Sequence, residues 1–199
     1  MIEKQKLRKI IEGALLAYGQ PLSVDELYAL FVTEIADGDQ LPVEKAQVSK
    51  NEIIETLEGI QACCKDNGYE LKQIASGWRF QVCKETTPWV NKLWEEKPRR
   101  YSRALLETIA IIAYRQPITR GEIEEIRGVA VSSHIIKTLT ERRWIKVVGH
   151  RDVPGRPALF ATTKQFLDYF NLKSLEDLPS LQELTDIESL NPQVLPIEK

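Results

Sequence analysis

Few side chains in this sequence have the types and spacing that catalysis or metal binding requires. The candidate nucleophiles and metal ligands are Cys63, Cys64, Cys83, His134 and His150. Neither histidine has a cysteine or carboxylate at the spacing of a zinc site, and no CxxC pair occurs. Gly155 lacks the further glycines of a phosphate-binding loop. We therefore predict that the protein is not an enzyme and that it uses no metal and no cofactor.

The same cysteines bear on the cellular compartment. Their number is odd, and adjacent Cys63 and Cys64 diverge by about 100° on a helix, so a disulfide framework is not indicated. We expect small, buried, reduced thiols. No apolar run is long enough to span a bilayer, and the opening residues MIEK do not begin a signal peptide. These features predict a cytoplasmic protein without a membrane partner.

Charge is distributed unevenly along the chain. Residues 1–96 hold 11 Lys and Arg against 16 Asp and Glu, a net charge of −5. Residues 97–166 hold 14 against 6, net +8, and residues 167–199 hold 2 against 7, net −5. A basic stretch of this kind suits either nucleic acid or an acidic protein partner. Residues 97–166 are therefore the candidate interaction region.

A helix, a corner and a second helix occupy residues 105–129, the run LLETIAIIAYRQPITRGEIEEIRGV. The first helix is mostly apolar, and Pro117 ends it because the residue before a proline is pushed out of the α region. Thr119 with Glu122 forms a capping box that starts the second helix. Gly128 is placed to end that helix in a left-handed conformation.

The same arrangement occurs near the N-terminus at an offset of 96 residues. Six of the seventeen positions from Ile11 to Leu27 are identical to their counterparts. Ser23 with Glu26 repeats the capping box. A third helix recurs at an offset of 82 residues, with Ile53 matching Ile135. The sequence therefore predicts two copies of one small domain.

In the first copy, three predicted helices precede two strands. The helices cover Lys4–Tyr18, Ser23–Phe31 and a segment from Ser49 to about Lys65, with a polar loop at 36–47; the strands cover Tyr69–Ile74 and Trp78–Val82. Three helices with a two-stranded hairpin are typical of a winged helix. After it, Thr87 and Pro88 start a short helix whose apolar side carries Trp89, Val90, Leu93 and Trp94.

In the second copy, Ser132 or Ser133 caps the third helix. The predicted strands cover Trp144–Val148 and 159–162, and the wing loop covers 151–157. Thr162 with Gln165 predicts one more capping box. Beyond Asp177 the chain is acidic and interrupted by prolines, so we expect it to be mostly disordered.

These patterns define the fold class: mainly α with small β wings, as tandem winged-helix domains and a mostly disordered acidic C-terminal tail. The predicted boundaries are 1–85 for the first domain, 86–102 for a short helix and linker, 103–170 for the second domain and 171–199 for the tail. A winged helix raises the question of DNA binding. The third helix of the first domain carries Glu52, Glu55 and Glu58 along one face, which opposes phosphate contact by that copy.

Four ordered runs resemble the segregation and condensation protein B family. They are AYRQPITRGEIEEIRGV (113–129), VPGRPALFATT (153–163), FLDYFNL (166–172) and LEDLP (175–179). The resemblance is dense over 105–181 and weaker, though colinear, over the first domain. His150, Asn171 and Ala130 to Ser132 depart from the family pattern, which more often has an arginine, a glycine and a more polar helix opening there.

The resemblance implies a homodimer built through the N-terminal domains. It also implies binding of the kleisin subunit, segregation and condensation protein A, of the bacterial SMC complex that condenses and partitions chromosomes. The protein would then reach the SMC protein through the kleisin and associate with the nucleoid. The alternative is a winged-helix DNA-binding transcription regulator. On the favoured interpretation any DNA contact is weak, nonspecific and sensitive to salt.

The resemblance places kleisin binding largely on the second domain, where arginines lie near aromatic residues. Such side chains are the usual anchors of protein interfaces. The predicted partner-binding residues are Tyr114, Arg120, Arg127, Arg142, Arg143 and Arg156. We expect the charge reversals Arg127→Glu and Arg156→Glu to weaken kleisin binding without unfolding the domain.

Overall fold

The computed structural model describes residues 3–32, 48–93 and 101–180, and these are mainly helical with small antiparallel sheets. Their buried apolar side chains form two separate cores, one from residues 7–78 and one from residues 105–166. We call the two parts the first unit and the second unit. No described helix is both long enough and apolar enough to cross a membrane.

Three helices and a β-hairpin form the first unit. They are α1 (Lys4–Tyr18), α2 (Val24–Val32), α3 (Lys50–Cys63), β1 (Tyr69–Ile74) and β2 (Gly77–Val82), followed by the short helix α4 (Thr87–Val90) and a 3₁₀ turn, Asn91–Leu93. Ile11, Leu27, Ile53, Leu57 and Ile60 are fully buried where the three helices meet. Apolar residues three and four apart on each helix thus build this core.

The hairpin of the first unit is joined to the corner before α2. Leu22 and Trp78 exchange backbone hydrogen bonds of 2.9 and 2.8 Å. Gly77 permits this approach, because a Cβ there would lie 2.2 Å from the Leu22 carbonyl oxygen and because its φ is +140°. The start of β2, next to the hairpin turn, is therefore also a packing site.

The second unit repeats this order with one extra strand. Its elements are α5 (Arg103–Arg115), β3 (Ile118–Thr119), α6 (Arg120–Arg127), α7 (Ser133–Glu141), β4 (Ile145–His150), β5 (Ala158–Thr162) and α8 (Lys164–Tyr169), with a 3₁₀ turn at Leu175–Asp177. The sheet order is β3-β5-β4, all antiparallel. The Gln116–Pro117 peptide bond at the corner is cis. In the sheet order, β4 pairs only with β5 and is an edge strand.

The predicted helix boundaries are confirmed at the caps. Thr119 and Glu122 form the capping box of α6, and Gly128 ends that helix at φ +70°. Ser49 and Glu52 form the same box on α3. In the first unit Ser23 and Glu26 make the reciprocal bonds, the Ser23 N–H donating to the carboxylate at 2.8 Å. Of the two candidate caps of α7, Ser132 is the one used.

The capping box predicted from Thr162 and Gln165 is wrong. Thr163 caps α8 instead, accepting from the Phe166 N–H at 3.2 Å. Thr162 remains in β5, where its N–H and hydroxyl both donate to the Gln116 side-chain oxygen, at 2.7 and 3.0 Å. A side chain 46 residues away in sequence thus decides which threonine is free to cap.

The start of the segment that we assigned to the tail packs on the second unit. Leu172 and Leu178 contact the second core, and Asp177 caps the turn that begins at Ser174. The predicted loop at 36–47, residues 94–100 of the predicted short helix and linker, and residues 181–199 lie outside the described residues. Of the tail, the structure therefore shows residues 171–180, and these continue the second unit.

Candidate partner-binding surface

The cysteines, which were candidates for chemistry, differ in exposure. Cys64 is buried, as expected, but Cys63 is exposed and Cys83 only partly covered, so the prediction that all three are buried is wrong. Burial is the main cause that raises the pKa of the Cys64 thiol. Within residues 3–32, 48–93 and 101–180 no three His, Cys, Asp or Glu side chains are grouped to hold a metal ion.

Arg120 and Arg127, at opposite ends of α6, are bound within the second unit. Arg120 donates to Glu124 at 3.0 Å and to the Val131 carbonyl oxygen. Arg127 donates to Glu107 at 3.1 Å, and its side chain is only 8% exposed. Both arginines tie α6 to neighbouring segments, which makes Arg127→Glu a change to the fold as well as to the surface.

These contacts also change the acidity of their partners. The Arg127 guanidinium, and after it that of Arg103, lowers the pKa of Glu107 below its ordinary range. The Val131 N–H and the Arg120 guanidinium lower the pKa of Glu124. Glu107 and Glu124 are therefore the side chains, missed by the sequence analysis, that hold these two arginines.

Arg142 and Tyr114 are likewise engaged within the unit. The Arg142 guanidinium lies 4.8 Å from the centre of the Tyr101 ring and 5.5 Å from that of Trp144, and it donates to the Tyr101 hydroxyl at 2.9 Å. The Tyr114 hydroxyl donates to the Pro179 carbonyl oxygen at 2.6 Å. Arg142 thus covers an aromatic cluster, and Tyr114 holds the segment after α8.

Arg143 and Arg156 differ from the other four candidates. Both side chains are exposed, and neither makes a hydrogen bond or ion pair with any residue in the described part of the chain. Both have positive φ, +56° at Arg143 and +38° at Arg156. This region costs an L-residue with a side chain about 1–2 kcal/mol. Two strained positions where glycine would fit better therefore carry free cations.

Apolar side chains lie between these two arginines along the hairpin of β4 and β5. Val147 and Val148 in β4 are both about half exposed, as is Val153 in the loop. Both valines can face solvent because the pairing with β5 shifts between Val147 and Gly149. We call Arg143, Val147, Val148, Val153 and Arg156 the hairpin surface. It combines positive charge with exposed apolar groups, the composition of a protein-binding patch.

A charged pair fixes the hairpin loop against α6. Arg151 in the loop donates to the Glu122 carboxylate, the same group that accepts from the Thr119 N–H at 2.8 Å. The Thr119 N–H, then the Arg151 guanidinium, then the Thr119 hydroxyl lower the pKa of Glu122 from its ordinary 4.5 to about 2. The loop that carries Arg156 is therefore held by an ionised carboxylate on α6.

Two of the three departures from the family pattern, Asn171 and His150, lie in different surroundings. Asn171 has φ +58°, which explains a frequent glycine there, and its side-chain oxygen accepts from Arg79 of the first unit at 2.7 Å. His150 is exposed at the end of β4. Asparagine thus keeps the backbone conformation of the position and adds a contact between units.

Two relatives and one solved structure show what the chain is similar to. Residues 9–181 match the model of the family described as segregation and condensation complex subunit ScpB. The segregation and condensation protein B homolog of Coxiella burnetii is 53% identical over 184 residues, 92% of this chain and 83% of that protein. Segregation and condensation protein B of Bacillus thuringiensis is 40% identical over 185 residues, 92% and 90% of the two chains.

Among solved structures, the crystal structure of ScpB from Mycobacterium tuberculosis is 28% identical. It covers 86% of this chain and 99% of its own, with a TM-score of 0.38. The family match includes both units and the hairpin surface.

Proposed function

This chain belongs to the family of segregation and condensation complex subunit ScpB, and from that premise we propose that it is a non-enzymatic structural subunit of a bacterial SMC complex. In this role it supports chromosome condensation and segregation during the cell cycle. It binds the kleisin, segregation and condensation protein A, and reaches the SMC protein through it. It works in the cytoplasm, in association with the nucleoid.

The proposal includes a tandem winged-helix architecture. Each unit has three helices followed by an antiparallel hairpin, which supports this assignment. In the first unit, Glu52, Glu55 and Glu58 are all exposed on α3. Carboxylates on that helix repel phosphates, so they favour a protein partner over DNA for this unit.

One observation carries the assignment of kleisin binding to the second unit. Arg143 and Arg156 are exposed and unpaired within the described residues, and both hold a backbone conformation that disfavours a side chain. Their backbone groups are hydrogen-bonded within the unit, but the two guanidinium groups have no hydrogen-bond or ion-pair partner among the described residues, so they are available to a partner protein. The exposed valines between the two arginines supply apolar area for the same partner.

The same proposal assigns the first unit to a homodimer. A dimer presents two hairpin surfaces. Two linked kleisin-binding surfaces bind more tightly than a single one. Exposed apolar side chains on the first unit, among them Leu16 and Trp89, support an interface there.

Calorimetry with a purified kleisin fragment tests the proposal. We expect the full chain to bind, and Arg143→Glu and Arg156→Glu each to raise the dissociation constant at least about tenfold, as anchor residues do. Lys137→Glu is the matched control, since it makes the same charge change on exposed α7, where Lys137 makes only a 3.7 Å pair with Glu141. Arg127→Glu is unsuitable because that side chain is buried.

The outcomes separate the parts of the proposal. Unchanged affinity in both charge reversals would reject the hairpin surface. Failure of the folded full chain to bind any kleisin fragment would reject the function. Sequence-specific DNA binding that tolerates salt would favour the transcription regulator instead, because nonspecific binding weakens steeply as salt is added.

A further inference from the structure

A groove of about 470 Å³ opens on the first unit between α1, the end of α3 and the hairpin. Its apolar walls include Leu16, Tyr69, Phe80 and Val82. Leu16 is 68% exposed, although it lies on a helix whose other face forms the core. Tyr69 and Phe80 stack edge to face with their centres 5.6 Å apart, so one wall is a preformed aromatic surface.

The polar rim of the groove is already paired, which leaves the apolar walls as its binding feature. Arg8 donates to Glu12 at 2.8 Å and contacts the Cys63 sulfur at 3.5 Å. Gln81 donates to Glu70 at 2.7 Å. The Glu12 carboxylate can still accept a further hydrogen bond, as from an indole N–H.

Next to this groove the chain presents the largest exposed aromatic residue of the described unit. Trp89 in α4 is 68% exposed and Leu93 in the following turn is 78% exposed. They are four positions apart, one on the short α turn and the other on the 3₁₀ turn that continues it. Neither residue lines the groove of its own unit. We call residues 87–93 the Trp89 segment.

Hydrogen bonds hold the Trp89 segment beside the groove. The Cys83 N–H donates to the Gly68 carbonyl oxygen at 3.1 Å, and the Thr86 hydroxyl donates to the same oxygen at 3.1 Å. The Thr87 hydroxyl donates to the Cys83 carbonyl oxygen at 2.9 Å. Asn67, adjacent to Gly68, lines the groove. An apolar projection and an apolar groove therefore lie next to each other on one unit.

We propose that two copies of this chain associate by reciprocal docking, with the Trp89 segment of each copy seated in the groove of the other. A two-fold axis brings the same surface of two copies together, so the Trp89 segment of each copy meets the groove of the other. This symmetry closes the assembly at two copies. This inference rests on the homodimer of the proposed function and specifies its contact.

The area that this contact covers reaches the minimum expected for a specific interface. An aromatic side chain buries about 150–250 Å². Covering Trp89, Leu93, Leu16, Tyr69 and Val82 in both copies therefore removes on the order of 1,000 Å², the lower bound of a specific interface. Tryptophan is also the residue type most enriched among interface anchors.

Analytical ultracentrifugation of the full chain tests the proposal. We expect wild type to be a dimer, and Trp89→Ala to raise the dimer dissociation constant about thirtyfold or more. Leu16→Ala, in the groove, should act in the same direction. Leu30→Ala on α2 is the matched control, since it removes an exposed side chain of the same unit outside the groove, and we expect a change within about twofold.

Cross-linking supplies a second measurement that keeps Trp89 in place. Lys92→Cys puts a thiol within the Trp89 segment, and Cys63 in the groove is exposed. A short bismaleimide should join these thiols between copies to give a covalent dimer, and adding Cys63→Ser should abolish it. A wild-type dimer that Trp89→Ala and Leu16→Ala leave intact would overturn this contact but not the homodimer, whereas a monomeric wild type would overturn both.

Discussion

Glu122 joins the start of α6 to the hairpin loop through one carboxylate. It accepts from the Thr119 N–H and hydroxyl, both at 2.8 Å, and it pairs with Arg151. These contacts stabilise its ionised form and lower its pKa to about 2. The residue therefore both caps a helix and positions part of the hairpin surface.

Its depressed pKa predicts a specific pH dependence of stability. The stabilisation by the carboxylate is fully present above about pH 4.5, its ordinary pKa, and is lost as the pH falls toward 2. At pH 7 we expect Glu122→Gln to lower the free energy of unfolding by about 1 kcal/mol, because solvent screens a side chain that is 39% exposed. Urea unfolding at pH 7 and pH 3 measures this.

The free energy of unfolding should fall more between pH 7 and pH 3 in wild type than in Glu122→Gln. Glu125→Gln, on the exposed side of the same helix, is the matched control. Equal pH dependence in wild type and Glu122→Gln would show that the carboxylate does not stabilise the fold.

At the scale of elements, aromatic rings join the start of the second unit to α8. Trp144, which is 2% exposed, packs against Tyr101, Tyr169 and Phe170 with ring centres 4.6 to 5.3 Å apart. The Tyr101 and Tyr169 hydroxyls are hydrogen-bonded at 2.8 Å. Tyr101 lies in what the sequence analysis called a linker, so the cluster extends the second unit at its N-terminal side.

Removing the central ring should destabilise this unit strongly. We expect Trp144→Ala to lower its free energy of unfolding by about 3–5 kcal/mol, through lost burial and the cavity left behind. Trp144→Phe, which keeps an aromatic ring, should cost less. Thermal unfolding followed by circular dichroism measures both, and a cost below about 1 kcal/mol for the alanine variant would contradict the central place of Trp144.

At the scale of the whole molecule, the hairpin turn of the first unit contacts the end of α8 in the second. The Ser76 N–H donates to the Asp168 carboxylate at 2.9 Å, and the Ser76 hydroxyl donates to the same group. Arg79 donates to the Asp168 carbonyl oxygen at 3.2 Å and to the Asn171 side chain at 2.7 Å. The Ala75 N–H donates to the Leu172 carbonyl oxygen at 2.9 Å. Polar bonds thus set how the two units are oriented.

Breaking this contact should free the units without unfolding either. Asp168→Ala removes both acceptors of Ser76, so we expect a larger radius of gyration in small-angle X-ray scattering and an unchanged helix content. Glu176→Ala, an exposed acidic residue of the same unit, is the control. A scattering profile identical to wild type would show that other contacts hold the two units together.

The sequence by itself determined the elements and their repetition. Pro117, the Thr119 and Glu122 box, and Gly128 act within a few residues, so the corner between α5 and α6 can be read from spacing alone. The same holds for Ser49 with Glu52 on α3. Apolar residues at helical spacing likewise identified which faces would enter each core.

Only the tertiary structure decided which side chains remain free. Arg127 and Arg156 look alike in sequence. The Arg127 side chain is hydrogen-bonded to Glu107, 20 residues away, whereas the Arg156 side chain has no such partner in the described chain. The choice of Thr163 over Thr162 as a cap likewise depends on Gln116. These outcomes depend on neighbours brought together by packing, which local periodicity and capping cannot specify.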